Sequence, residues 1–435
     1  MPPDAIQSLA VSAAPQSLTA YQKRLYVLLS VATFFEGYDF MALAQLLPNL
    51  RGELGLGREQ GGWLVSVINL GTMLAYFLVR LADHWGRKKL LGITIIGYTV
   101  SSLVSGLAPG VVSFALAQLL ARMFLIAEWA VAIVYAAEEF PAARRGMVIG
   151  VIQASASLGA IVCSAVVPLL LRTTLGWRSV YLLGALPLLL VALLRRNLRE
   201  TARFAAWSSD TIERQPLVQQ SFLAILRTPY RSRVLLMAVI WGLSYCGIGN
   251  VITFWKELAL SARGLSDSQA GLLISMAAVL GMPLTYFVGK LLDRVGRRRG
   301  AALILLGATL GVLGSASLAH RALLLASLVL CVITVTGQQV VLNAFTAELF
   351  PTELRSSAFA WSNNLLGRIG MVVSPALVGI IAERAGYVVA LQGIAVFPLL
   401  TLLLVLIALP ETRGKELEET AQLVQTGLSA SEGIK

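Results

Sequence analysis

The stretch "LADHWGRKK" at residues 81–89 returns as "LLDRVGRRR" at residues 291–299. A second pair, "AEEFPAARR" at 137–145 and "AELFPTELR" at 347–355, has the same offset of 210 residues. "LGWR" at 175–178 matches "AGYV" at 385–388 more weakly, again at an offset of 210. Matches at a single offset indicate an internal repeat. The sequence therefore predicts that one half of the chain duplicates the other.

Apolar residues make up 57% of the 435-residue chain and charged residues only 13%. A soluble domain carries about 25% charged residues, so this composition predicts a polytopic membrane protein. A membrane-crossing helix takes about 20 apolar residues. Twelve segments qualify or nearly do so: 25–48, 61–79, 90–108, 112–136, 147–171, 178–195, 233–256, 269–289, 301–319, 323–346, 357–382 and 388–409. The predicted fold class is an all-α membrane protein with two bundles of six helices.

The repeat divides the chain into three predicted parts. Residues 1–195 form an N-terminal six-helix bundle, 196–232 a polar, Arg-rich linker, and 233–435 a C-terminal bundle with a tail. Parallel halves with a site between them at the midplane are typical of alternating-access transporters. Twelve spans enclose a complete pathway, so we expect a monomer.

The net charge of +12 follows the predicted topology. With the N-terminus inside, 25 of the 35 Lys and Arg residues fall in inner segments, which places both termini in the cytoplasm. The basic residues thus do not indicate a nucleic-acid partner. We expect a multi-pass protein of the cell membrane, with the lipid bilayer as its partner.

The repeated loops also carry a family resemblance. "VRLADHWGRKKL" and "GKLLDRVGRRRG" resemble the loop signature of the major facilitator superfamily. "EEFPAARRG", "ELFPTELRS" and "LPETRGKELEE" are similar to motifs of its sugar-porter branch and relatives. The resemblance covers essentially the whole chain. It implies a twelve-helix transporter fold.

Charges in these loops are candidates for a gate that closes the cytoplasmic side in one conformation and opens in the other. This role rests largely on the family resemblance, and ordinary solvated positive-inside charge is the alternative. The candidates are Asp83, Arg87, Glu138, Arg145, Asp293, Arg297, Glu348 and Arg355.

Five charged residues fall at membrane depth: Glu36, Asp39, Arg122, Glu128 and Arg368. Charges within spans usually face an aqueous cavity or each other and mark ion or substrate pathways. Ion pairs that only hold helices together are the alternative. Three acids cannot all pair with two bases, so at least one carboxylate is free to titrate.

Glu36 and Asp39 are three residues apart, which places them on one face of a helix. When two like charges lie this close together, the neutral form of one of them is favoured, so one of the two acids can carry a proton. "EGYDF" at 36–40 resembles the first-helix motif of aromatic acid, sialate and related metabolite–proton symporters. By that resemblance Asp39 takes the position of the coupling aspartate and Glu36 that of its companion acid.

The fourth span supplies a possible basic partner for Asp39. Glu128 and Trp129 stand ten residues before the acidic loop, as in the symporters resembled here. Those symporters place an arginine 23 residues before the loop proline, and this count falls on Gln118. Arg122 lies one turn further, about 5 Å along the helix. Whether Arg122 replaces the arginine is left open, and the proton-coupling candidates are Asp39, Glu36, Glu128 and Arg122.

Arg368 is the main candidate for substrate binding. "GRIGMVVSP" at 367–375 resembles a segment of aromatic-acid symporters and organic-anion transporters whose arginine faces the central cavity. A guanidinium offers a rigid fork of donors suited to a carboxylate. An ion pair with Glu36, Asp39 or Glu128 is the competing role. Polar residues that line the cavity, or only hydrogen-bond between helices, are Tyr245, Gln338, Gln339, Asn343, Asn363 and Asn364, with Arg122 as a further candidate.

These features together predict a secondary active transporter that carries a small organic anion with a proton. No "GxxxxGK[ST]" loop or "HExxH" motif is present, so we expect neither ATP-driven transport nor an enzyme, and no cofactor or metal beyond the coupling proton. A sugar transporter would use the Gln and Asn set, and an organic cation or drug transporter would use the acids directly. Both remain alternatives at this point.

Overall fold

The computed structural model describes residues 18–81, 85–195, 198–200 and 224–413, and the regular structure of these residues is entirely helical. A 3-10 helix at Ala224–Arg227 precedes α7, and a π-helical segment at Ala360–Gly367 joins α12 to α13. The α-helices are α1 (Ala20–Leu54), α2 (Arg58–Arg80), α3 (Arg87–Gly106), α4 (Val111–Glu139), α5 (Ala142–Leu170), α6 (Arg178–Arg195), α7 (Arg231–Cys246), α8 (Ile248–Arg263), α9 (Asp267–Val295), α10 (Arg297–Ser317), α11 (Arg321–Glu348), α12 (Thr352–Phe359), α13 (Arg368–Ile394) and α14 (Val396–Ala408).

Eleven helical stretches of the described residues are long and apolar enough to cross a membrane. One of them, Arg231–Arg263, combines α7 and α8 around Gly247. The last, Ser357–Ala408, is 52 residues long and contains Gly386, whose φ of +83° interrupts the helix. This stretch holds two predicted spans. The all-helical fold with twelve spans is thus confirmed.

The repeat is visible in the backbone as well as in the sequence. Six described glycines have positive φ, a conformation that glycine adopts without steric cost, and they form three pairs across the two halves. The pairs are Gly55 and Gly264 (+66° and +63°), Gly86 and Gly296 (+91° and +96°), and Gly176 and Gly386 (+53° and +83°). The second and third pairs have the offset of 210, and the first is one residue short of it. The duplication therefore includes the turns between helices.

The two ends of the bundle differ in how the halves pack. We call the end that holds Arg80 and Arg231 the linker side, and the end that holds Leu54 and Arg263 the far side. One apolar core around Tyr135 belongs to the first half, and another around Phe345 to the second. A third core, which includes Leu46 and Trp255, combines residues of both halves. The shared core is nearer the far side, so the described apolar packing between the halves is concentrated there.

Two helix pairs set the position of the central residues. A Cβ at Gly37 would meet the carbonyl oxygen of Ala156, so α1 and α5 approach closely there. Between the halves, α2 packs against α13: the Asn69 side-chain amide donates to the carbonyl of Met371 at 3.0 Å. Small residues allow this kind of close helix approach in membrane proteins. Glu36 and Arg368 lie on the helices that these contacts hold.

Candidate functional site

Two adjoining cavities lie between the halves. The first encloses about 180 Å³; its wall is mainly apolar surface, with polar side chains from both halves. The second encloses about 490 Å³ and shares Phe40, Ile252 and Val335 with the first. Polar residues that line the first cavity are Asn69, Arg122, Ser244, Tyr245, Asn250, Thr253, Gln338, Gln339 and Ser374. Those that line the second are Glu36, Ser157, Thr285 and Thr336.

Arg122 is the cation on the wall of the first cavity. Its side chain is buried, and its Cζ lies 4.5 Å from the centre of the Phe40 ring. Nη1 has no hydrogen-bond partner within the described chain. Gln118, where the resemblance expected the arginine, is also buried, but its amide donates to Ser105 at 3.0 Å. Of these two positions, only Arg122 offers a charge to the cavity.

Asp39 lies beside Arg122. Its carboxyl group is buried and accepts a hydrogen bond of 3.4 Å from the Ser102 hydroxyl. Arg122 is the nearby cation that interacts with Asp39 electrostatically, and the interaction is reciprocal. The structure thus brings together the two residues that were predicted as coupling acid and basic partner. Their roles in transport stay predictions.

Glu36 has different neighbours from Asp39. It lines the second cavity, is 3% exposed, and neither carboxyl oxygen has a hydrogen-bond partner among the residues described. The charges that act on it most strongly are those of Glu128 and Arg195. One turn of helix is therefore enough to place the two acids of "EGYDF" in separate surroundings.

Glu128 forms an ion pair with Arg195 and also accepts a hydrogen bond from the Thr94 hydroxyl. Both members of the pair are buried. The count of basic residues had included Arg195 among those of the inner segments, and its burial in an ion pair was not predicted. Arg195 is the last residue of α6, so its position at the edge of the span concealed its burial.

Arg368 does not line either cavity. Its Nη1 donates to the carbonyl of Thr72 in the other half at 3.3 Å, and its Nε has no partner in the described ranges. Among the other predicted substrate contacts, Tyr245 lines the first cavity and its hydroxyl donates to Asn363 at 2.7 Å. Direct contact between Arg368 and a substrate in this conformation is therefore not supported by its position.

The predicted amides differ in the same way. Gln338 and Gln339 line the first cavity, and Gln338 donates to the Ser244 hydroxyl. Asn343 is exposed on the surface of α11, and Asn364 is half-buried; neither lines a cavity. The sequence placed Asn343 in an apolar run but did not show which way its side chain points.

The predicted gating charges form equivalent contacts in both halves. Arg87 donates from Nε to Glu138 at 3.3 Å, and Arg297 donates from Nε to Glu348 at the same distance. Each pair joins helices within one half. Arg355 is half-buried, and its Nη2 donates to the carbonyl of Phe350 at 3.5 Å. Asp83 and the side chains of Arg145 and Asp293 lie outside the described residues.

Two further carboxylates complete these contacts. Glu200 accepts from the backbone N–H of Arg87 at 3.1 Å, and Glu411 accepts from that of Arg297 at 2.7 Å. Each carboxylate thus binds the start of a helix, where unpaired N–H groups and the helix dipole favour negative charge. These residues were not predicted. "LRET" at 198–201 and "LPET" at 409–412 would have indicated them, at an offset of 211.

Acid should weaken the contact of Glu411 with α10. Burial opposes its ionisation, but backbone N–H donors, those of Arg297 and Arg298 first, hold the pKa of Glu411 below its usual 4.5. A carboxylate with a depressed folded-state pKa stabilises the fold above its unfolded pKa, and this stabilisation is lost as the pH falls through the folded pKa. We expect Glu411→Gln to cost about 1 kcal/mol at neutral pH, as loss of a helix cap does. Thermal unfolding in detergent at neutral and acidic pH measures this.

Glu200→Gln is the matched variant in the other half, and a similar loss is expected there. The difference between Glu411→Gln and the parent should shrink in acid, because the parent's Glu411 carboxylate is then protonated. A difference that stays constant with pH would contradict the assignment.

On the far side, charged side chains join the two halves directly. Arg51 of α1 binds Glu257 of α8 at 2.8 Å. Lys256 is 0% exposed and donates from Nζ to the carbonyl of Gln45 in the other half at 2.6 Å, and within its own half it pairs with Asp267 at 2.7 Å. These contacts of Arg51 and Lys256 were not predicted.

The backbone between α1 and α2 also meets the second half. The N–H groups of Arg58 and Glu59 donate to the Glu383 carboxylate at 2.8 and 3.3 Å. The far side is thus closed by contacts between the halves, whereas the contacts of Arg87 and Arg297 described above lie within halves.

The sequence matches the family model described as Major Facilitator Superfamily over residues 29–375 and again over 242–429. A "Putative metabolite transport protein" of Haemophilus influenzae is 26% identical, over 88% of this chain and 95% of its own length. The "Putative niacin/nicotinamide transporter NiaP" of Bacillus subtilis is 24% identical, over 91% of this chain and 98% of its own. The "4-hydroxybenzoate transporter PcaK" of Pseudomonas aeruginosa is 25% identical, over 82% and 86%.

Among solved structures, the inward-open xylose transporter XylE from E. coli superposes with a TM-score of 0.72 and 19% identity. It covers 92% of this chain and 98% of its own. At this identity the likeness concerns the fold alone. The family and these relatives are transporters, which confirms the expectation of a multi-pass carrier rather than an enzyme. The family match spans nearly the whole described chain, and the protein belongs to the Major Facilitator Superfamily.

Proposed function

We propose that this transporter carries a small organic anion together with a proton by alternating access. The observation that supports this most directly is the placement of Arg122. Its buried guanidinium stands on the cavity wall beside the Asp39 carboxyl group, with Nη1 unpartnered among the described residues. The positive charge of Arg122 would then serve both an anion site in the cavity and Asp39, the proton-binding group.

The surroundings of Arg122 suit an organic carboxylate. A guanidinium binds a carboxylate through two parallel hydrogen bonds, and such charge-assisted bonds are about twice as strong as neutral ones. The rest of the cavity is mainly apolar, and the rings of Phe40 and Tyr245 line it. Ligand sites typically combine an apolar wall with a few polar groups that fix orientation. Relatives named for niacin and 4-hydroxybenzoate point to the same class, a carboxylate on a ring.

Asp39 offers a way to couple the anion to a proton. Ionised Asp39 would neutralise Arg122 and weaken its attraction for a substrate carboxylate. Protonated Asp39 would leave the guanidinium free for the substrate. Each ligand would raise the affinity for the other by the same factor, since linkage is reciprocal. Proton and anion would therefore load together.

Substitution of Arg122 tests this site. We expect Arg122→Ala to lower carboxylate affinity by at least tenfold, because removing a charge-assisted hydrogen bond costs about 1.5–3 kcal/mol. Arg122→Lys keeps the charge but loses the fork, and should fall between Ala and the parent. Ligand-induced thermal stabilisation of the purified protein measures affinity, since a bound ligand raises stability in proportion to ln(1 + [L]/Kd).

The panel would contain nicotinate, 4-hydroxybenzoate, xylose and tetramethylammonium at two pH values. We expect stabilisation by a carboxylate, greater at the lower pH. Stabilisation by xylose alone would support a sugar transporter that uses the amides of Gln338 and Gln339. Stabilisation by the quaternary amine alone would support a cation transporter.

Arg368→Ala serves as the comparison within the same assay. Arg368 was predicted to bind substrate, yet it lies off the cavity wall and donates to Thr72. We expect a smaller loss of affinity than for Arg122→Ala. An equal or larger loss would restore Arg368 as the anion-binding residue.

A further inference from the structure

A second buried acid lies on the pathway, apart from the Asp39 and Arg122 pair. Glu36 is 3% exposed and lines the second cavity. Both of its carboxyl oxygens are buried and without a hydrogen-bond partner within the described part of the chain. An acid at a cavity wall with no structural hydrogen bond has no role in holding helices together.

The charged residues near Glu36 belong to α1, α4 and α6. Glu128 on α4 and Arg195 on α6 act on it directly. On the other packed elements the polar groups are uncharged: Ser157 on α5, Thr285 on α9 and Thr336 on α11 line the same cavity. Tyr98 on α3 interacts with both Glu36 and Asp39, and the remaining titratable groups, Asp39 on α1 and Arg122 on α4, interact with each other.

Charge balance favours a neutral Glu36. Arg195 is committed to Glu128 by a buried ion pair, and Arg122 faces Asp39. An ionised Glu36 would add a net negative charge to a buried cluster with no donor directed at it. Burying an unpaired carboxylate is so costly that such groups neutralise instead. Protonation removes this cost without moving any helix.

We infer that Glu36 is a second proton site, separate from Asp39, and that it is occupied in this conformation, in which the far side is closed. On deprotonation the proton passes from the carboxyl oxygen to water in the adjoining cavity, and the carboxylate remains on α1. In the context of the proposed function, one further proton crosses with each substrate. Uptake of a monoanion with two protons moves one net positive charge, so it responds to the membrane potential.

Infrared spectroscopy of the reconstituted, substrate-free protein tests the site itself. At neutral pH, the parent should show the carbonyl stretch of a protonated carboxyl group, and Glu36→Gln should lose it. Asp39→Asn is the matched control on the same helix, and it should keep the Glu36 band. Glu36→Asp guards against a folding defect, since it should retain a carboxyl band at a shifted frequency. A band that persists unchanged in Glu36→Gln would overturn the inference.

Transport of 4-hydroxybenzoate and nicotinate into vesicles tests the second proton. With a fixed pH gradient, an inside-negative potential should increase accumulation by the parent, and this increase should be lost in Glu36→Gln. Accumulation by the parent that ignores the potential would overturn the coupled role of Glu36. Absence of any carboxylate transport or binding would count against the proposed function instead, while the infrared result would still decide the site.

Discussion

Asp39→Asn is expected to remove about one tenfold factor of concentrative uptake per pH unit of the gradient, while substrate exchange across the membrane continues. Asparagine imitates the protonated acid in shape and charge, so Arg122 stays available to the substrate and the loaded carrier can still change face. Asparagine at this position cannot release a proton, so a pH gradient drives the cycle only through the second proton inferred for Glu36. One coupled proton supplies about 1.4 kcal/mol per pH unit, or roughly tenfold accumulation. The contribution of Asp39 to substrate accumulation should therefore fall from about tenfold per pH unit to none.

The assay is uptake of labelled carboxylate into vesicles with an imposed pH gradient, followed by counterflow without one. Asp39→Glu is the control, because it keeps a titratable group and should keep part of the accumulation. Glu36→Gln should remain able to accumulate substrate through the pH gradient alone. An Asp39→Asn protein that still concentrates substrate to the parent's level would remove Asp39 as a coupling site.

The fold could be predicted because its signals are periodic and repeated. A membrane span needs a long apolar run, and few other structures in a chain produce twelve of them. The loop copies at 81–89 and 291–299 then fix the relation between the halves. The positive φ of Gly86 and Gly296 follows from the same duplication. The break of the seventh span at Gly247, its extension to Arg263 and the π-helical segment at Ala360–Gly367 were not predicted.

The sequence predicted how deep in the membrane the site residues lie, but not which way their side chains point. Position along a span places Asp39, Arg122 and Arg368 near the midplane, and the structure places the first two beside each other. Rotation about the helix axis decides the rest, and a single sequence does not show which neighbour a side chain meets. Arg368 turns toward Thr72 rather than the cavity for this reason.

The residues that sequence reasoning missed lie at the ends of spans. Arg195 and Lys256 stand where an apolar run stops, so a charge count assigns them to loops. Both are buried because a partner on another helix, Glu128 or Asp267, receives the charge. Such pairs depend on contacts far apart in sequence. Hydropathy along one segment carries no information about them.

The far-side ion pairs lead to the second large prediction. Lys256 fastens α8 to the Gln45 carbonyl of α1 and to Asp267, and it is fully buried. Lys256→Met keeps most of the side-chain volume and removes the charge. Asp267 keeps solvent contact through the rest of its side chain, 34% of which is exposed, although the Oδ1 atom that meets Lys256 is buried. The closed far side should lose the buried hydrogen bond from Lys256 to Gln45 between the halves.

We expect Lys256→Met to shift the resting carrier toward the conformation open on the far side. A hydrogen bond from a charged donor contributes about 1.5–3 kcal/mol, and the bond from Lys256 to Gln45 joins the halves, whereas the pair with Asp267 lies within one half. A loss of even about 1.4 kcal/mol from one state changes the ratio of two states tenfold. The reaction rate of a Val65→Cys thiol, on the wall of the first cavity, with an impermeant reagent applied from the far side measures this ratio.

The measurement needs the three native cysteines, Cys163, Cys246 and Cys331, replaced in parent and variants alike. Arg384→Met is the control, because Arg384 is a far-side cation that is exposed rather than buried between the halves. Its thiol reaction rate should match the parent's, and that of Lys256→Met should rise at least tenfold. An unchanged rate in Lys256→Met would mean that the apolar core shared by the halves, not the buried ammonium, keeps the far side closed. Arg51→Gln, which breaks the contact with Glu257, would then also leave the rate unchanged.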